Sequence, residues 1–443
     1  MKFVSLKHVV VLGFVTLLSA CGGGGGSSTV AAATVPFGIK QMGVAGKLTS
    51  GDATATDASG NVYVTGRTYG GLDGNTLTGI SDFFLTKYTA NGNKLYTRQM
   101  GVSGADTYAT GVATDASGSV YVTGGTTGGL DGNTLAGTGD IFLTKYMANG
   151  SKLYTRQMGV AGAGAYAAGV ATDASGNVYV TGQTTGGLDG NMQTGITDFF
   201  LTKFSSGGIK QYTRQMGAAG ALTQARSVAT DAIGNVYVAG STQGSLDGNT
   251  LTGTTDFFLT KYDVSGNKIY TKQVGLTNLV VSAFSVTTDA NNNVYVSGWT
   301  SGGLNGNTQA GLQDFFLIKY DVNGYMIKTK QMGVAGYSTV AFSVATDANN
   351  NVYVSGYTDG GLDGNTLTGL QDFFLTKYDA NGNKLYTRQM GVTGYNTNVG
   401  GVATDKGSNV YVAGTVDGGL GGNTLTGLSD FFLAKYNSFG VLQ

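Results

Sequence analysis

A 58-residue repeat runs through most of this chain and constrains its fold more than any other feature. The tripeptide Gln-Met-Gly, once Gln-Val-Gly, begins at seven evenly spaced positions: Gln41, Gln99, Gln157, Gln215, Gln273, Gln331 and Gln389. No copy contains an insertion or a deletion. A constant period of this length indicates an array of equivalent structural units that stack on one another.

Each copy contains four segments that predict β-strands, which we call strands A, B, C and D in chain order. In the second copy they lie at residues 112–114, 120–122, 140–146 and 152–158. The segments are rich in β-branched and aromatic residues and are bounded by Gly and Asn. Four antiparallel strands in a meander are typical of a propeller blade. The predicted fold class is therefore all-β, a seven-bladed β-propeller of four-stranded antiparallel blades.

The A–B and C–D connections predict tight hairpin turns. The first A–B turn has Gly60 at its fourth position, where glycine suits a positive φ. Two copies place Asn292 and Asn350 there, and Asn tolerates positive φ better than most residues. The last copy has Ser408 instead, so we expect its turn to differ.

The two ends of the repeat array are complementary in phase. Residues 37–442 amount to seven whole periods, and the last copy stops before its strand D. Residues 37–43 have the phase of that strand and can supply it. We therefore predict that the ring closes by pairing the N- and C-terminal strands, which leaves no open sheet edge.

Strand C and three single positions that recur in all seven copies predict buried contacts. Strand C contains a continuous apolar run, such as Phe83-Phe84-Leu85, which is typical of a strand buried on both faces. Tyr63 recurs in every copy, and we expect a buried ring whose hydroxyl bonds to the backbone. Lys87 and Asp57 also recur in every copy and predict a repeated ion pair near the tight turns.

Residues 1–20 predict a signal peptide, because Lys2 and Lys7 precede an apolar run too short to span a bilayer. The run ends in Leu-Ser-Ala-Cys, which resembles a bacterial lipobox and implies lipid attachment at Cys21. Residues 21–36 then form a Gly/Ser/Ala-rich tether. Gly22 follows the cysteine, which by the same resemblance implies the outer membrane. We expect residues 37–443 to form the propeller.

The repeated pattern resembles a known family. Residues 55–66 read Ala-Thr-Asp-Ala-Ser-Gly-Asn-Val-Tyr-Val-Thr-Gly, and residues 82–88 and 91–96 complete the unit. This unit is similar to the bacterial seven-bladed β-propeller repeat family abbreviated SBBP. The resemblance covers residues 37–443 and implies a secreted or surface lipoprotein, without implying an activity.

Composition excludes several functions. The chain has 26 basic and 26 acidic residues, so it lacks the positive charge of a nucleic-acid-binding protein. Every acidic residue is Asp, and the single His and Cys are His8 and Cys21. Sites of the Ser-His-Asp, Cys-His or His/Cys zinc type therefore cannot form in residues 37–443. We expect no enzyme activity and no cofactor, although two-Asp glycan chemistry remains an alternative.

The long B–C loop is nearly identical in every copy, which favours a structural role. Its Asn75 and Gly79 recur seven times, and we expect them to support the loop backbone. The alternative is a Ca²⁺ site formed by Asp73, Asn75 and Asp82, whose oxygens suit that ion. Asp73 is replaced by Asn305 and by Gly in other copies, which weakens the alternative.

Two variable series border the face that carries the B–C and D–A loops, which we call the long-loop face. One reads Arg67, Gly125, Gln183, Ser241, Trp299, Tyr357 and Thr415. The other reads Asp52, Thr110, Ala168, Arg226, Phe284, Phe342 and Gly400. The predicted ligand-binding residues are the large members: Arg67, Gln183, Arg226, Phe284, Trp299, Phe342 and Tyr357. Neutral variation at tolerant positions is the alternative interpretation.

These observations favour a non-catalytic, lipid-anchored extracytoplasmic propeller that acts as a protein-binding scaffold at the bacterial cell envelope. One alternative is a carbohydrate-binding module on the long-loop face, centred on Trp299 and Tyr357. A third is an Asp-dependent glycan hydrolase or lyase. We expect a monomeric propeller whose partners are the membrane, through the lipid, and an envelope protein or glycan.

Overall fold

A computed structural model describes residues 37–443 and contains seven separate four-stranded antiparallel sheets. Each sheet is one blade, so the predicted fold is confirmed. The predicted signal peptide, the lipid-attachment residue Cys21 and the tether lie outside the described residues.

Strand A is eight residues long in every blade: Thr49–Thr56, Thr107–Thr114, Ala165–Thr172, Thr223–Thr230, Val281–Thr288, Thr339–Thr346 and Thr397–Thr404. Strand B follows: Val62–Thr68, Val120–Thr126, Val178–Thr184, Val236–Thr242, Val294–Thr300, Val352–Thr358 and Val410–Val416. Strand A thus begins five residues before the predicted start in the second copy.

Strand C is buried along almost its whole length in each blade: Asp82–Tyr88, Asp140–Tyr146, Asp198–Phe204, Asp256–Tyr262, Asp314–Tyr320, Asp372–Tyr378 and Asp430–Tyr436. Strand D is the outer strand: Lys94–Met100, Lys152–Met158, Lys210–Met216, Lys268–Val274, Met326–Met332 and Lys384–Met390. Five B–C loops contain a short 3-10 helix: Leu72–Gly74, Leu130–Gly132, Leu188–Gly190, Leu362–Gly364 and Leu420–Gly422.

The seventh blade takes its strand D from the start of the repeat array. Lys40–Met42 pairs antiparallel with Asp430–Tyr436, and Gln41 lies opposite Phe432. The N–H of Gly38 also donates to the Gln443 carbonyl at 2.7 Å. The predicted closure of the ring by its two terminal strands is therefore confirmed, with a closing strand of three residues.

The A–B turns share one geometry, including the turn expected to differ. Asn292, Asn350 and Ser408 all have positive φ, at 60°, 59° and 58°. The N–H of Ser408 donates to the Asp405 carbonyl at 2.9 Å, as Gly60 does to Asp57. The expectation for the last turn was wrong, because Ser408 accepts the left-handed conformation that the Asp-centred turn imposes.

Neighbouring blades are joined through their strand C residues. Phe83 stacks on Phe142 of the next blade at 4.8 Å between ring centres, and similar pairs occur in five other seams between blades. At the closure between the first and last blades, Phe84 stacks on Phe431 at 5.1 Å. These stacks bury apolar area at six of the seven contacts between sheets, and at the contact between blades two and three Ile141 stands in place of the phenylalanine.

The recurring Tyr63 is fully buried, and its hydroxyl donates to the Asp57 carboxylate at 3.0 Å. The predicted backbone partner was wrong, because the turn folds this carboxylate back over the ring. Lys87 lies 3.6 Å from Asp57 and also donates to the carbonyl of Ala148 in the next blade. The predicted ion pair forms within 4.0 Å in blades one and two only, whereas the lysine bond to the next blade recurs in all seven and includes Lys435 to Ala90 across the closure.

A second set of links circles the central channel. The hydroxyl of Thr114, the last residue of its strand A, donates to the carbonyl of Thr56 in the preceding blade at 2.7 Å. The same bond occurs in all seven blades, and Thr56 closes the circle by donating to Thr404 at 2.6 Å. The threonines therefore form a closed ring of hydrogen bonds with one direction.

Each B–C loop is held by a buried carboxylate. Asp82 accepts the N–H groups of Thr78 and Gly79 and the side-chain amide of Gln99, all within 2.9 Å. In the seventh blade Asp430 makes the same bonds, with Gln41 of the closing strand in the place of Gln99. The Asp–Gln contact therefore holds the closing strand as well as the loop.

Candidate functional site at the central channel

A β-bulge in strand A directs one variable residue of each blade into the central channel. The A–B ladder slips by one residue at this point, between Gly51 and Ala53 in the first blade. A bulge re-aims the side chain of the extra residue. The bulged residues line a channel cavity of about 230 Å³: Asp52, Thr110, Ala168, Arg226, Phe284, Phe342 and Gly400.

Four of the predicted site residues form a continuous line across blades four to six. The Arg226 guanidinium lies 5.7 Å from the centre of the Phe284 ring. Phe284 meets Phe342 edge to face at 5.1 Å, and Phe342 lies 5.7 Å from Tyr357. Burial raises the pKa of Tyr357, and Asp359 adds to the effect, so the ring is neutral at pH 7. The line consists of three aromatic rings with a guanidinium group at one end.

Arg226 keeps most of its donors unengaged. Its guanidinium donates to the side-chain carbonyl of Gln224 at 3.0 Å, and no ion pair involves it within residues 37–443. Burial lowers its pKa, but guanidinium stays charged at neutral pH. An arginine in this state can donate to the acceptor oxygens of a ligand.

The mouth of the channel on the long-loop face is a cavity of about 420 Å³ above blades two to five. Its walls include Tyr108, Tyr166, Gln183, Arg226 and Phe284. The side-chain oxygen of Gln183 is buried and has no hydrogen-bond partner in the described part of the chain. Buried polar atoms normally have a partner, so this oxygen marks a place for a donor from outside the protein.

Arg67 and Trp299 have different positions from the other predicted residues. Arg67 stacks on Tyr108 at 4.5 Å and donates to the hydroxyl of Tyr69 at 2.8 Å, so it supports the mouth from outside. Trp299 is partly buried, lies between Ser282 and Phe315 in its sheet, and does not line either channel cavity. The structure therefore groups Arg67 with the site and leaves Trp299 apart.

Asp52 is the only carboxylate in the lining of the channel cavity. Burial raises its pKa to about 6, against the opposing effects of the Ser50 hydroxyl and of Arg67. The Ser50 hydroxyl donates to it at 3.2 Å. A two-carboxylate hydrolytic site needs a second acid at about 5–10 Å, and the cavity lining supplies none.

Sequence reasoning did not select Asp52, Tyr108 or Tyr166 as site residues. Tyr108 and Tyr166 belong to a third variable series, two residues before the bulge: Ser50, Tyr108, Tyr166, Gln224, Ser282, Val340 and Asn398. Residues two apart on a strand share a face. The side chains of strand A vary between blades both at the bulge and two residues before it. This variation was the sequence signal for the side of each blade that faces the channel.

The B–C loops use their oxygen atoms internally. Asp73 pairs with Lys94, and the side-chain amide of Asn75 donates to the Leu72 carbonyl at 2.8 Å. Within residues 37–443 no group of three or more His, Cys, Asp or Glu side chains is placed to hold a metal ion. The same part of the chain contains no helix long and apolar enough to cross a membrane.

An arc of exposed apolar side chains lies on the outer rim of the long-loop face over blades five to seven. We call it the rim arc, and it comprises Leu312 (63% exposed), Tyr337 (47%), Leu370 (60%), Tyr395 (47%) and Leu428 (61%). The N–H of Leu370 donates to the Tyr395 carbonyl at 2.9 Å, which joins loops of adjacent blades. Blades one to four have mostly smaller residues at these positions: Ile80 and Ala105, Thr138 and Ala163, Ile196 and Ala221, Thr254 and Leu279.

A protein-family model described as the SBBP beta-propeller repeat matches six segments: residues 95–131, 153–189, 211–247, 269–305, 327–363 and 385–421. The regulatory protein FlaEY of Caulobacter vibrioides is 27% identical over 422 residues, which cover 88% of this chain and 39% of that protein. An uncharacterized WD repeat-containing protein of Acanthamoeba polyphaga mimivirus is 25% identical over 332 residues, which cover 66% of this chain and 22% of that protein. The chain thus spans well under half the length of both relatives.

Solved structures with a similar chain path include a mitotic checkpoint complex and a polysaccharide lyase of family PL25, an ulvan lyase. The first is 13% identical with a TM-score of 0.49, covering 90% of this chain and 96% of that chain. The second is 12% identical with a TM-score of 0.46, covering 85% of this chain and 93% of that chain.

Proposed function

This chain belongs to the SBBP beta-propeller repeat family, and on that premise we propose that it is a non-catalytic, protein-binding scaffold of the bacterial cell envelope. The proposed anchor is a lipid on Cys21, with the outer membrane as its location. The propeller then presents its long-loop face to a protein partner.

The observation that carries the proposal is the rim arc. Five large apolar side chains in three consecutive blades are each close to half exposed or more. Contiguous exposed apolar surface is typical of protein interaction sites, and Tyr is enriched among residues that dominate binding energy. The two tyrosines are confined to these blades, whereas the leucine position is also apolar and exposed in blades one and three, at Ile80 (53%) and Ile196 (57%). The tyrosines are therefore the local feature of the arc and not a requirement of the repeat.

The proposal of a non-catalytic protein is supported by the available side chains. Residues 37–443 contain no His, Glu or Cys. The repeated Asp residues are engaged by turn and loop donors, as Asp57 is by Ser59, Asn61 and Tyr63. Asp52 is the one acid that lines the channel cavity. The cavity therefore lacks the second carboxylate that general acid–base chemistry with two acids needs.

The test is photo-crosslinking in intact cells that produce the full chain with a photoreactive amino acid at position 370. We expect a discrete crosslinked protein, because a side chain in the centre of an interface lies within reach of its partner. The matched control places the photoreactive residue at position 196, where Ile196 is similarly exposed at the same loop position in blade three.

The substitution Leu370→Asp, which places a charge at the centre of the apolar arc, is expected to reduce recovery of the crosslinked partner at least tenfold when the photoreactive residue is moved to position 428. Equal crosslinking from positions 370 and 196 would argue against the rim arc as the binding surface.

A second candidate function is carbohydrate binding at the channel mouth. The unpartnered oxygen of Gln183 favours it, since it lies beside the free donors of Arg226 and two tyrosine rings. Sugars present hydroxyl groups that can donate to such an oxygen, and apolar faces that stack on aromatic rings. A titration with envelope polysaccharide fragments should show saturable binding that Arg226→Gln weakens about tenfold.

Trp299→Phe serves as the control for that titration, because Trp299 lies outside the cavity lining. Loss of sugar binding in Trp299→Phe but not in Arg226→Gln would place the sugar elsewhere on the long-loop face and remove the channel mouth as its site.

A further inference from the structure

Six of the seven seams between blades contain an aromatic ring at the same place near the tight turns. The ring belongs to strand D and lies against a glycine in the next blade's C–D turn: Tyr96, Tyr154, Tyr212, Tyr270 and Tyr386. A Cβ added to Gly150, for example, would lie 2.9 Å from the Tyr96 ring. In the closing seam Phe37 takes this place against Gly92 together with the side chain of Lys40; an added Cβ would lie 3.0 Å from the ring and 2.7 Å from the lysine stem. An aromatic ring therefore occupies the space beside each of these glycines that a Cβ atom would need.

The seam between blades five and six breaks this pattern. Lys328 occupies the position of the tyrosine, and its aliphatic stem lies over Gly382. The seam contains a cavity of about 320 Å³ that reaches the core residues Tyr295, Leu317 and Val352. Tyr295 is 3% exposed, whereas its six equivalents are fully buried. The lysine stem thus leaves part of the space of the missing ring open.

Three lysines line this cavity. Lys319 donates to the Ala380 carbonyl at 3.2 Å, and Lys328 donates to the Asn381 carbonyl at 2.8 Å. Lys330 replaces the arginine that in four other blades stacks on the tyrosine and bonds to the glycine carbonyl, as Arg98 does. Lys330 therefore has neither the ring nor the fork geometry that fixes its equivalents.

The charge of the cavity is only partly compensated, because Asp379 lies in the lining and Asp289, which accepts the Tyr295 hydroxyl at 3.0 Å, is the equivalent of the Asp57 that faces Lys87. No salt bridge within 4.0 Å involves these three lysines in the described residues. Asp379 is the one acid in the lining, and both of its oxygens accept bonds from Asn383 at 2.7 and 2.8 Å. The lining thus combines three ammonium groups and one carboxylate with an apolar floor.

We propose that this cavity binds a small phosphate monoester, with the phosphate between the lysines and the organic group in the space that a ring fills in the other seams. A net lining charge of about two positive units suits a phosphate monoester, which carries about −1.5 to −2 at pH 7. Lysine binds phosphate as a point charge, and the higher negative charge of a phosphate monoester makes it a better match for these lysines than a singly charged carboxylate.

The probe is phenyl phosphate, whose ring matches the missing side chain. Isothermal titration of the full chain should show one site, with affinity at least tenfold higher than for benzoate and no measurable binding of phenol. Lys328→Tyr restores the residue of the other blades and is expected to abolish binding while raising the melting temperature. Lys330→Gln, which keeps the cavity open, should weaken binding at least fivefold.

Lys272→Ala is the matched control, because Lys272 has the same strand position in blade four but stacks on Tyr270 at 5.3 Å. It should leave binding unchanged. Equal affinity for benzoate, or unchanged binding in Lys328→Tyr, would overturn the proposal. Two further probes identify the source of the phosphate: glycerol 3-phosphate alone for a soluble ester, and phosphatidic acid vesicles for a lipid headgroup. Failure of both, with phenyl phosphate also silent, would likewise overturn it.

Discussion

Replacing Asp430 by Ala should lower the free energy of unfolding by about 3–5 kcal/mol and release the closing strand of the ring. The substitution removes the acceptor of the N–H groups of Thr426 and Gly427 and one of the two acceptors of the Gln41 side-chain amide, which also donates to the Gly418 carbonyl at 3.0 Å. A buried donor left unpaired costs about 1–3 kcal/mol. Gln41 is the central residue of a closing strand of three residues, so the loss concentrates on the weakest strand of the ring.

The measurement is chemical denaturation combined with hydrogen exchange at residues 40–42. Asp82→Ala is the matched control, because Asp82 holds Thr78, Gly79 and Gln99 with the same bonds inside one continuous blade. We expect similar losses of global stability in the two variants. Faster exchange at residues 40–42 should occur in Asp430→Ala only, and equal exchange in both variants would show that this contact does not lock the closure.

Asp52→Asn should stabilise the protein by about 2 kcal/mol at pH 7–8 and have no stabilising effect below about pH 4. The pKa of Asp52 is about 6 in the folded protein, raised chiefly by burial from 3.8. Between these values the folded state holds a proton that the unfolded state has released. The contribution of Asp52 to stability therefore falls as pH rises from about 4 to about 6 and stays low above that.

Asparagine does not titrate, so the variant should lack this fall. The full shift of two pKa units corresponds to about 3 kcal/mol, and partial contact with water reduces the expected gain to about 2. Thermal unfolding of wild type and variant from pH 4 to pH 8 measures it, with Asp417→Asn as a control in a half-exposed loop outside the channel. Parallel pH profiles for wild type and Asp52→Asn would contradict the raised pKa.

The sequence predicted the ring, its blade number and its closure because the period is constant. An assignment made in one copy of the repeat therefore applies to all the others. Residues 37–43 had the phase of the missing strand, and Lys40–Met42 pairs there. The start of strand A was missed because its second and fourth residues, such as Tyr108 and Thr110, vary between blades. These two positions line the channel, where no neighbouring sheet selects for a fixed side chain, whereas the alternate residues Thr107 and Ala109 are buried.

The candidate site was predicted in part. The variable series identified Arg226, Phe284, Phe342 and Tyr357, which the structure brings into one line of contacts. The variable series also selected Trp299, because position in a repeat does not reveal how far a side chain reaches. The bulge that aims Asp52 into the channel leaves no mark in the period, since both strands keep their lengths in every copy.

Contacts between blades were the least accessible to sequence reasoning. The partner of Lys87 in the next blade is a backbone carbonyl, and any residue can supply one. The open seam at Lys328 depends on a ring that is absent there and present elsewhere. The sequence shows the lysine at position 328 but does not show that the tyrosine of one blade covers the glycine of the next.

The threonine ring around the channel has a consequence for how such a chain can change its number of copies. Every blade contributes one hydroxyl donor and one carbonyl acceptor to this circuit, and the direction of donation never reverses. Duplicating or deleting a whole 58-residue unit therefore adds or removes a matched pair and creates no orphaned polar group. These hydrogen bonds can form with any number of blades, so the number of blades is set by the angle at which neighbouring sheets pack.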